Sequence, residues 1–157
     1  MRKLLLTALV ALTATSAFAQ LPNPYGTSIN LESAKKIAAL SVAEAAKNNF
    51  KMAIAIVDVS GDLVYFEKMD GTQAASVNIA QDKARSAARF KRPTKALQDA
   101  LAAGGAGLRL LALQGAVPVE GGLPLIVDGK IVGAIGASGG TSEQDGQTAK
   151  AGADSVK

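Results

Sequence analysis

The sequence predicts an α/β fold, specifically an α/β/α sandwich around a central, mostly antiparallel sheet of about five strands. Three observations point there. The apolar pattern changes period along the chain in the order helix, strand pair, helix pair, strand pair, helix. Each strand pair is joined by a tight turn, which enforces antiparallel pairing. The strands carry apolar or small residues on both parities, so both faces of the sheet need a covering layer.

Before the first helix come two other segments. Met1, Arg2 and Lys3 precede an apolar run from Leu4 to Leu12, and Ala17-Phe18-Ala19 stands before Gln20. That order of basic, apolar and small-residue regions is expected of a secretory signal peptide over residues 1–19, cut after Ala19. A membrane anchor needs roughly 20 apolar residues, and Thr13, Thr15 and Ser16 interrupt this run. The expectation is therefore export, to the periplasm or the extracellular medium, with no stable membrane anchor. Removing 19 of the 157 residues leaves 138, enough for one domain with one core. Arg2 and Lys3 account for two of the four net positive charges, leaving +2 on the mature chain, too little to argue for nucleic acid. Residues 20–29, with Pro22, Pro24 and Gly26, read as an extended arm leading into a domain over residues 30–157.

Asn30 has the chemistry of an N-cap, and Ala34, Ile37, Ala38, Ser41, Val42 and Ala45 follow at helical spacing, so a helix is expected from about Leu31 to Lys47. Met52 to Val57 and Leu63 to Met69 flank Ser60-Gly61-Asp62 as a hairpin. In the next helix Val77, Ala80, Ala84, Ala87 and Ala88 share one face and Asp82, Arg85 and Arg89 another, until Pro93 ends it. A short helix from about Thr94 to Ala103 closes at Gly104-Gly105. Leu108 to Gln114 fits a short helix or a strand, and Pro118 to Pro124 reads as a connection. Leu125 to Val127 and Lys130 to Ala137 then form a hairpin on Asp128-Gly129, a pair suited to two positive φ angles. Ile131, Gly133 and Ile135 are expected on one face of the outgoing strand. Thr141 and Gln144 have capping-box spacing for a last helix.

The chain has no Cys and no His. Disulfides are excluded, and so are the commonest general base, metal ligand and haem ligand. Gly136-Ala137-Ser138-Gly139-Gly140 matches the G-x-S-x-G nucleophile elbow between a strand and a helix. Without an imidazole, Ser138 has no ordinary base, and only a Ser-Lys arrangement with Lys83 or Lys130 would supply one. The same glycines allow close strand-to-helix closure. Alternatively, the backbone N–H groups of Ser138, Gly139, Gly140 and Thr141, leading into a helix N-terminus, suit a small anion. Closure is the simpler reading, because the helix end must be capped in any case. Lys83, Arg85, Arg89, Lys91, Arg92 and Lys95 concentrate positive charge near the second helix, either as a solvated face or as a site for an acidic ligand.

Several stretches carry a resemblance: Lys83-Ala84-Arg85-Ser86-Ala87-Ala88-Arg89-Phe90, Arg92-Pro93-Thr94, Gly121-Gly122-Leu123-Pro124, and Asp128 through Gly140 followed by Gln144-Asp145. In this order and spacing they resemble the GlcG/HbpS family. The resemblance implies an α/β/α sandwich and a homo-oligomer. It also implies a binding function, for haem or a related tetrapyrrole in some members, while others are encoded beside glycolate-use genes and a related domain is fused to corrinoid-processing enzymes. The expectation is an exported, non-catalytic binding protein for haem or a related tetrapyrrole, with a binding module for a small glycolate-type carboxylate, or else an enzyme accessory protein, as the alternatives. Haem iron would have to take a Tyr or hydroxyl oxygen, a Met sulfur or a Lys nitrogen, or else have no protein ligand at all. Tyr65, beside Phe66 in a strand, is the leading metal-ligand candidate, with Lys83, Arg85 and Arg89 available to the propionates.

Overall fold

The computed structural model describes residues 22–156; the expected signal peptide lies outside the described residues. Helix α1 (Leu31–Lys47) starts where Asn30 accepts the Ser33 N–H through its side chain at 2.9 Å. Strand β1 (Ala53–Val57) turns at residues 58–62 into β2 (Leu63–Lys68). Asp58 Oδ1 fixes this turn by accepting from the N–H groups of Ser60 and Asp62 at 2.8 and 2.9 Å. Helices α2 (Ser76–Phe90) and α3 (Thr94–Ala102) follow, separated by Pro93. Of the two readings of the ambiguous stretch the short helix holds: Gly105–Ala112 is a 3-10 helix with no buried residue, starting before Leu108 and ending before Gln114.

Strand β3 (Gly122–Val127) begins three residues earlier than Leu125, inside the expected connection. Pro124 is tolerated there because β3 is an edge strand, where a missing N–H leaves no ladder bond unmade. Asp128 and Gly129, at φ 47° and 71°, turn the chain into β4 (Lys130–Ser138), and Thr141 caps α4 (Ser142–Ala153) with the expected box.

The strands lie in the order β2-β1-β4-β3, every pair antiparallel. Four strands replace the expected five. The arm supplies a stub of the fifth: Tyr25 bridges Ile131 in parallel, with Gly26 N–H donating to the Ile131 carbonyl at 2.8 Å and Ile29 N–H to that of Val132 at 2.7 Å. This fills the edge of β4 that runs past the end of β1. A register shift between Leu125 and Ile126 inserts Val132 as an extra residue opposite β3. The bulge breaks the expected Ile131, Gly133, Ile135 row, and Val132 packs into the same cluster as Ile135.

Helices α1 and α4 cover one face, where Ile54, Ile56, Leu125 and Ile135 are fully buried with Ala34, Ala38 and Ala149. Each of those large side chains contributes about 1.5–3 kcal/mol. The other face is built from small residues: Ala80, Ala84, Ala87 and Ala88 of α2 against Ala53, Ala55, Val57 and Ala134. A Cβ placed on Gly136 would lie 2.0 Å from the Ala80 carbonyl oxygen, so α2 rests backbone to backbone on β4. Among the described residues no helix is long and apolar enough to cross a membrane.

Candidate functional site

The elements that end at Gly121, Ser138 and Thr141 meet around a buried ion pair. Lys83 projects from α2, Asp145 from α4, and Lys83 Nζ lies 2.6 Å from Asp145 Oδ2, with the side chains 1% and 5% exposed. Lys83 also donates to the Ala137 carbonyl at 3.3 Å, and Asp145 Oδ1 accepts the Gly140 N–H at 3.0 Å. Burial pushes the Asp145 carboxyl up, against the opposing pull of Lys83 and of the Gly140 and Gly139 N–H groups. Gly121, at φ 126°, leaves the room: a Cβ there would sit 2.9 Å from both Lys83 Nζ and Asp145 Cβ.

This packing accounts for the glycine-rich segment. The Ser138 hydroxyl is buried and donates to Ser76 Oγ at 3.1 Å. A Cβ on Gly139 would fall 2.0 Å from the Lys51 carbonyl oxygen. At Thr141, the N–H donates to Gln144 Oε1 at 3.0 Å, while Thr141 Oγ1 accepts the Gln144 N–H. Glu143 is held below the ordinary carboxyl value by its own backbone N–H and then by the Thr141 hydroxyl. The Gly140, Thr141, Gln144 and Asp145 N–H groups at this helix end are all engaged by the chain itself, which is the geometry of closure.

Tyr65 and the α2 cations are set apart. Tyr65 pairs with Ile56 and packs toward the α1 and α4 side, on edge strand β2. Its hydroxyl donates to Glu67 Oε2 at 2.9 Å, a bond that raises the tyrosine's pKa, with burial adding to it. Arg85 and Arg89 stand on α2, which covers the opposite face. Arg85 Nη1 is 3.1 Å from Asp82 Oδ1, and Arg89 Nε donates to the Ser60 carbonyl at 2.8 Å.

At the other edge of the sheet, β3 borders a cleft of about 660 Å³. Leu123, Pro124, Ile126 and Ile131 come from the β3–β4 hairpin, Pro22 from the arm, Pro93 from the α2–α3 junction, and Ala153 and Val156 from the end of α4. Asn23, Lys91, Lys150 and Asp154 supply its polar lining. Lys91 is the C-cap of α2 in the left-handed conformation, φ 54° and ψ 36°, which costs a residue with a Cβ about 1–2 kcal/mol. Its ammonium lies 4.0 Å from the centroid of the Tyr25 ring, and the Tyr25 hydroxyl donates to the Ala88 carbonyl at 2.9 Å. Lys150 is bonded to Asp154 in an exposed pair, which is easily exchanged for another anion. The arrangement suits a flat apolar molecule with one or two acidic groups.

Lys150 and Asp154 carried no motif in the sequence, whereas Gly122, Leu123 and Pro124 of β3 stand in the Gly121-Gly122-Leu123-Pro124 stretch that resembles the family. Asp145, already part of the stretch that resembles the family, also has a burial signal: Asp145, Thr148, Ala149 and Gly152 share the buried face of α4. Among the described residues no three His, Cys, Asp or Glu side chains group as a metal site.

Comparison with known proteins agrees with this architecture. Residues 29–154 match the family described as haem degrading protein HbpS-like. Protein GlcG of Escherichia coli strain K12 is 38% identical over 110 residues, covering 70% of this chain and 81% of GlcG. A Streptomyces reticuli HbpS double mutant superposes with a TM-score of 0.77 at 28% identity, over 96% of this chain and 99% of that one. A complex of PduOC with heme gives a TM-score of 0.75 at 25% identity, over 83% and 96%. With a match of this extent and the α/β/α layers on which it falls, the chain belongs to the HbpS-like family.

Proposed function

We propose that this chain is an exported, non-catalytic binding protein for haem or a related tetrapyrrole, and that the ring lies in the cleft along β3. The observation that carries the reading is an apolar cleft of about 660 Å³ with Lys91 and Lys150 on its walls, in a chain of the HbpS-like family. The PduOC complex with heme supports it from a related fold. Leu123, Ile126 and Ile131 offer contact to a macrocycle, and the two ammonium groups offer partners to propionates.

The fit is good for the porphyrin and spare for the iron. The cleft lining contains no Tyr or Met, and the whole chain has no His or Cys. Among the described residues the cleft lining offers Asn23, Asp154 and the two lysines as donors, and the Tyr25 hydroxyl beside Lys91 is engaged by the Ala88 carbonyl, so the affinity rests on the ring and its acids rather than on a strong axial bond. Tyr65 sits on the opposite edge strand with its proton engaged by Glu67, which favours the cleft over Tyr65 as the haem's seat. No reaction is assigned: Ser138 is buried against Ser76, and no imidazole is available to activate it.

Export rests on the three-region pattern of residues 1–19, and intact-mass measurement of secreted protein tests it: a chain starting at Gln20 agrees, one retaining Met1 does not. Homo-oligomerisation is supported by Leu108 and Leu111, exposed on the 3-10 segment, and Leu113, exposed just after it, Leu111 at 72%. Light scattering distinguishes an oligomer from a monomer. For the ligand, titration of ferric haem followed by absorbance is decisive: saturation at a defined stoichiometry supports the reading, and no saturable binding overturns it.

A further inference from the structure

A second cavity, of about 550 Å³, lies on the α2 face of the sheet and shares no lining residue with the β3 cleft. Asp82, Arg85, Arg89, Gln114, Gly115 and Val117 line it. Its walls are tied to one another. Val117 N–H donates to Ser86 Oγ at 3.0 Å, fastening the 114–117 segment to α2. Arg89 Nε donates to the Ser60 carbonyl at 2.8 Å, fastening the β1–β2 turn, where Gly61 at φ 90° leaves space that a Cβ would close to 2.8 Å from Arg89 Nε.

The two guanidinium groups are used differently. Arg85 is occupied, with Nη1 on Asp82 Oδ1 at 3.1 Å and Nη2 on Gln81 Oε1 at 3.2 Å. Arg89 is held at Nε only, and its two terminal nitrogens have no hydrogen-bond partner among the described residues. A guanidinium pinned at one edge keeps the orientation of its other edge, which presents two parallel N–H donors matched to a carboxylate. Asp82 neutralises Arg85, so the lining carries one uncompensated positive charge. That balance suits a monoanion, whereas a dianion would meet the Asp82 carboxylate.

We propose that this cavity is a binding site for a small monocarboxylate, held end-on by Arg89, with the Gln114 amide and Asp82 within the same cavity to receive a neighbouring polar group. The site is independent of the haem reading, because none of its residues lines the β3 cleft.

Calorimetric titration with lactate as the probe, and inorganic phosphate as the comparison, tests it on the full mature chain. Saturable lactate binding is expected, weakened about tenfold or more in Arg89→Gln and not restored in Arg89→Lys, which keeps the charge but loses the fork. Because Arg89 also holds the β1–β2 turn, Asp82→Asn provides a second reading: it leaves that bond intact and should shift preference toward phosphate. Absence of saturable lactate binding to the wild type overturns the proposal, as does lactate affinity unchanged in both Arg89→Gln and Asp82→Asn. Haem titration of Arg89→Gln separates the two sites, since it is expected to match the wild type whether or not lactate binds.

Discussion

Lys83 Nζ and Asp145 Oδ2 lie 2.6 Å apart at the end of the sheet, joining a helix of one covering layer to a helix of the other. Both side chains are buried. Removing one partner leaves a buried charge without compensation, so Lys83→Met and Asp145→Leu are each expected to cost about 3–5 kcal/mol in denaturant unfolding, and the double variant less than the two together. The Lys83→Met loss should depend on pH. Burial already raises the Asp145 carboxyl above its ordinary 3.8, and removal of Lys83 takes away the main opposing influence. A carboxyl raised in the folded state favours folding below its unfolded value and loses that advantage as pH rises through the folded one. The cost of Lys83→Met should therefore be smaller near pH 3.8 than near neutrality; a cost independent of pH would contradict this.

Gly136 is the point where β4 meets the backbone of α2. Adding one methyl group would place carbon 2.0 Å from the Ala80 carbonyl oxygen and 2.7 Å from the Ala84 nitrogen, and neither backbone atom can swing aside. Gly136→Ala is expected to destabilise by about 3 kcal/mol, with Gly136→Val worse. Thermal unfolding checks both, and an unchanged midpoint would show that α2 can lift off the sheet.

Much of this was legible before the structure. Helical period and capping residues located α1 and α4, and Asp128-Gly129 located the second hairpin, because local backbone chemistry decides those features. The choice between helix and strand at residues 105–112 was not, since Leu108 and Leu111 stand exposed, no residue there is buried, and burial imposes no period on them. Lys83 read as part of a basic cluster. It lies three residues after Ala80 and four before Ala87, on the apolar face of α2, and Asp145 lies on the buried face of α4. Opposite charges on two buried helix faces are a signature of an internal pair, but only the tertiary packing brings those faces together. The β3 cleft has no sequence signature for a similar reason: its walls come from four separated segments.

Lys91 combines a strained backbone with a position on the cleft. Lys91→Gly relieves the left-handed strain, while it loses the contact with the Tyr25 ring and gives the unfolded chain more freedom. Those effects nearly cancel, so stability is expected to stay within about 1 kcal/mol of the wild type. Haem affinity should nevertheless fall, because one propionate partner is gone. Unfolding and haem titration of the same variant check the two halves, and a variant that keeps full affinity would remove Lys91 from the site.

The seat of the haem is the central claim, and reversing the charge of the cleft tests it most directly. Ferric haem is titrated into the wild type, into the double variant Lys91→Glu with Lys150→Glu, and into Tyr65→Phe, with the fold of each checked by circular dichroism. Saturable binding to the wild type, a loss of about tenfold or more in the double variant, and an unchanged spectrum and affinity in Tyr65→Phe are the results expected if the ring lies along β3. Unchanged affinity in the double variant together with a weakened, altered spectrum in Tyr65→Phe would contradict it and return the iron to the β2 edge.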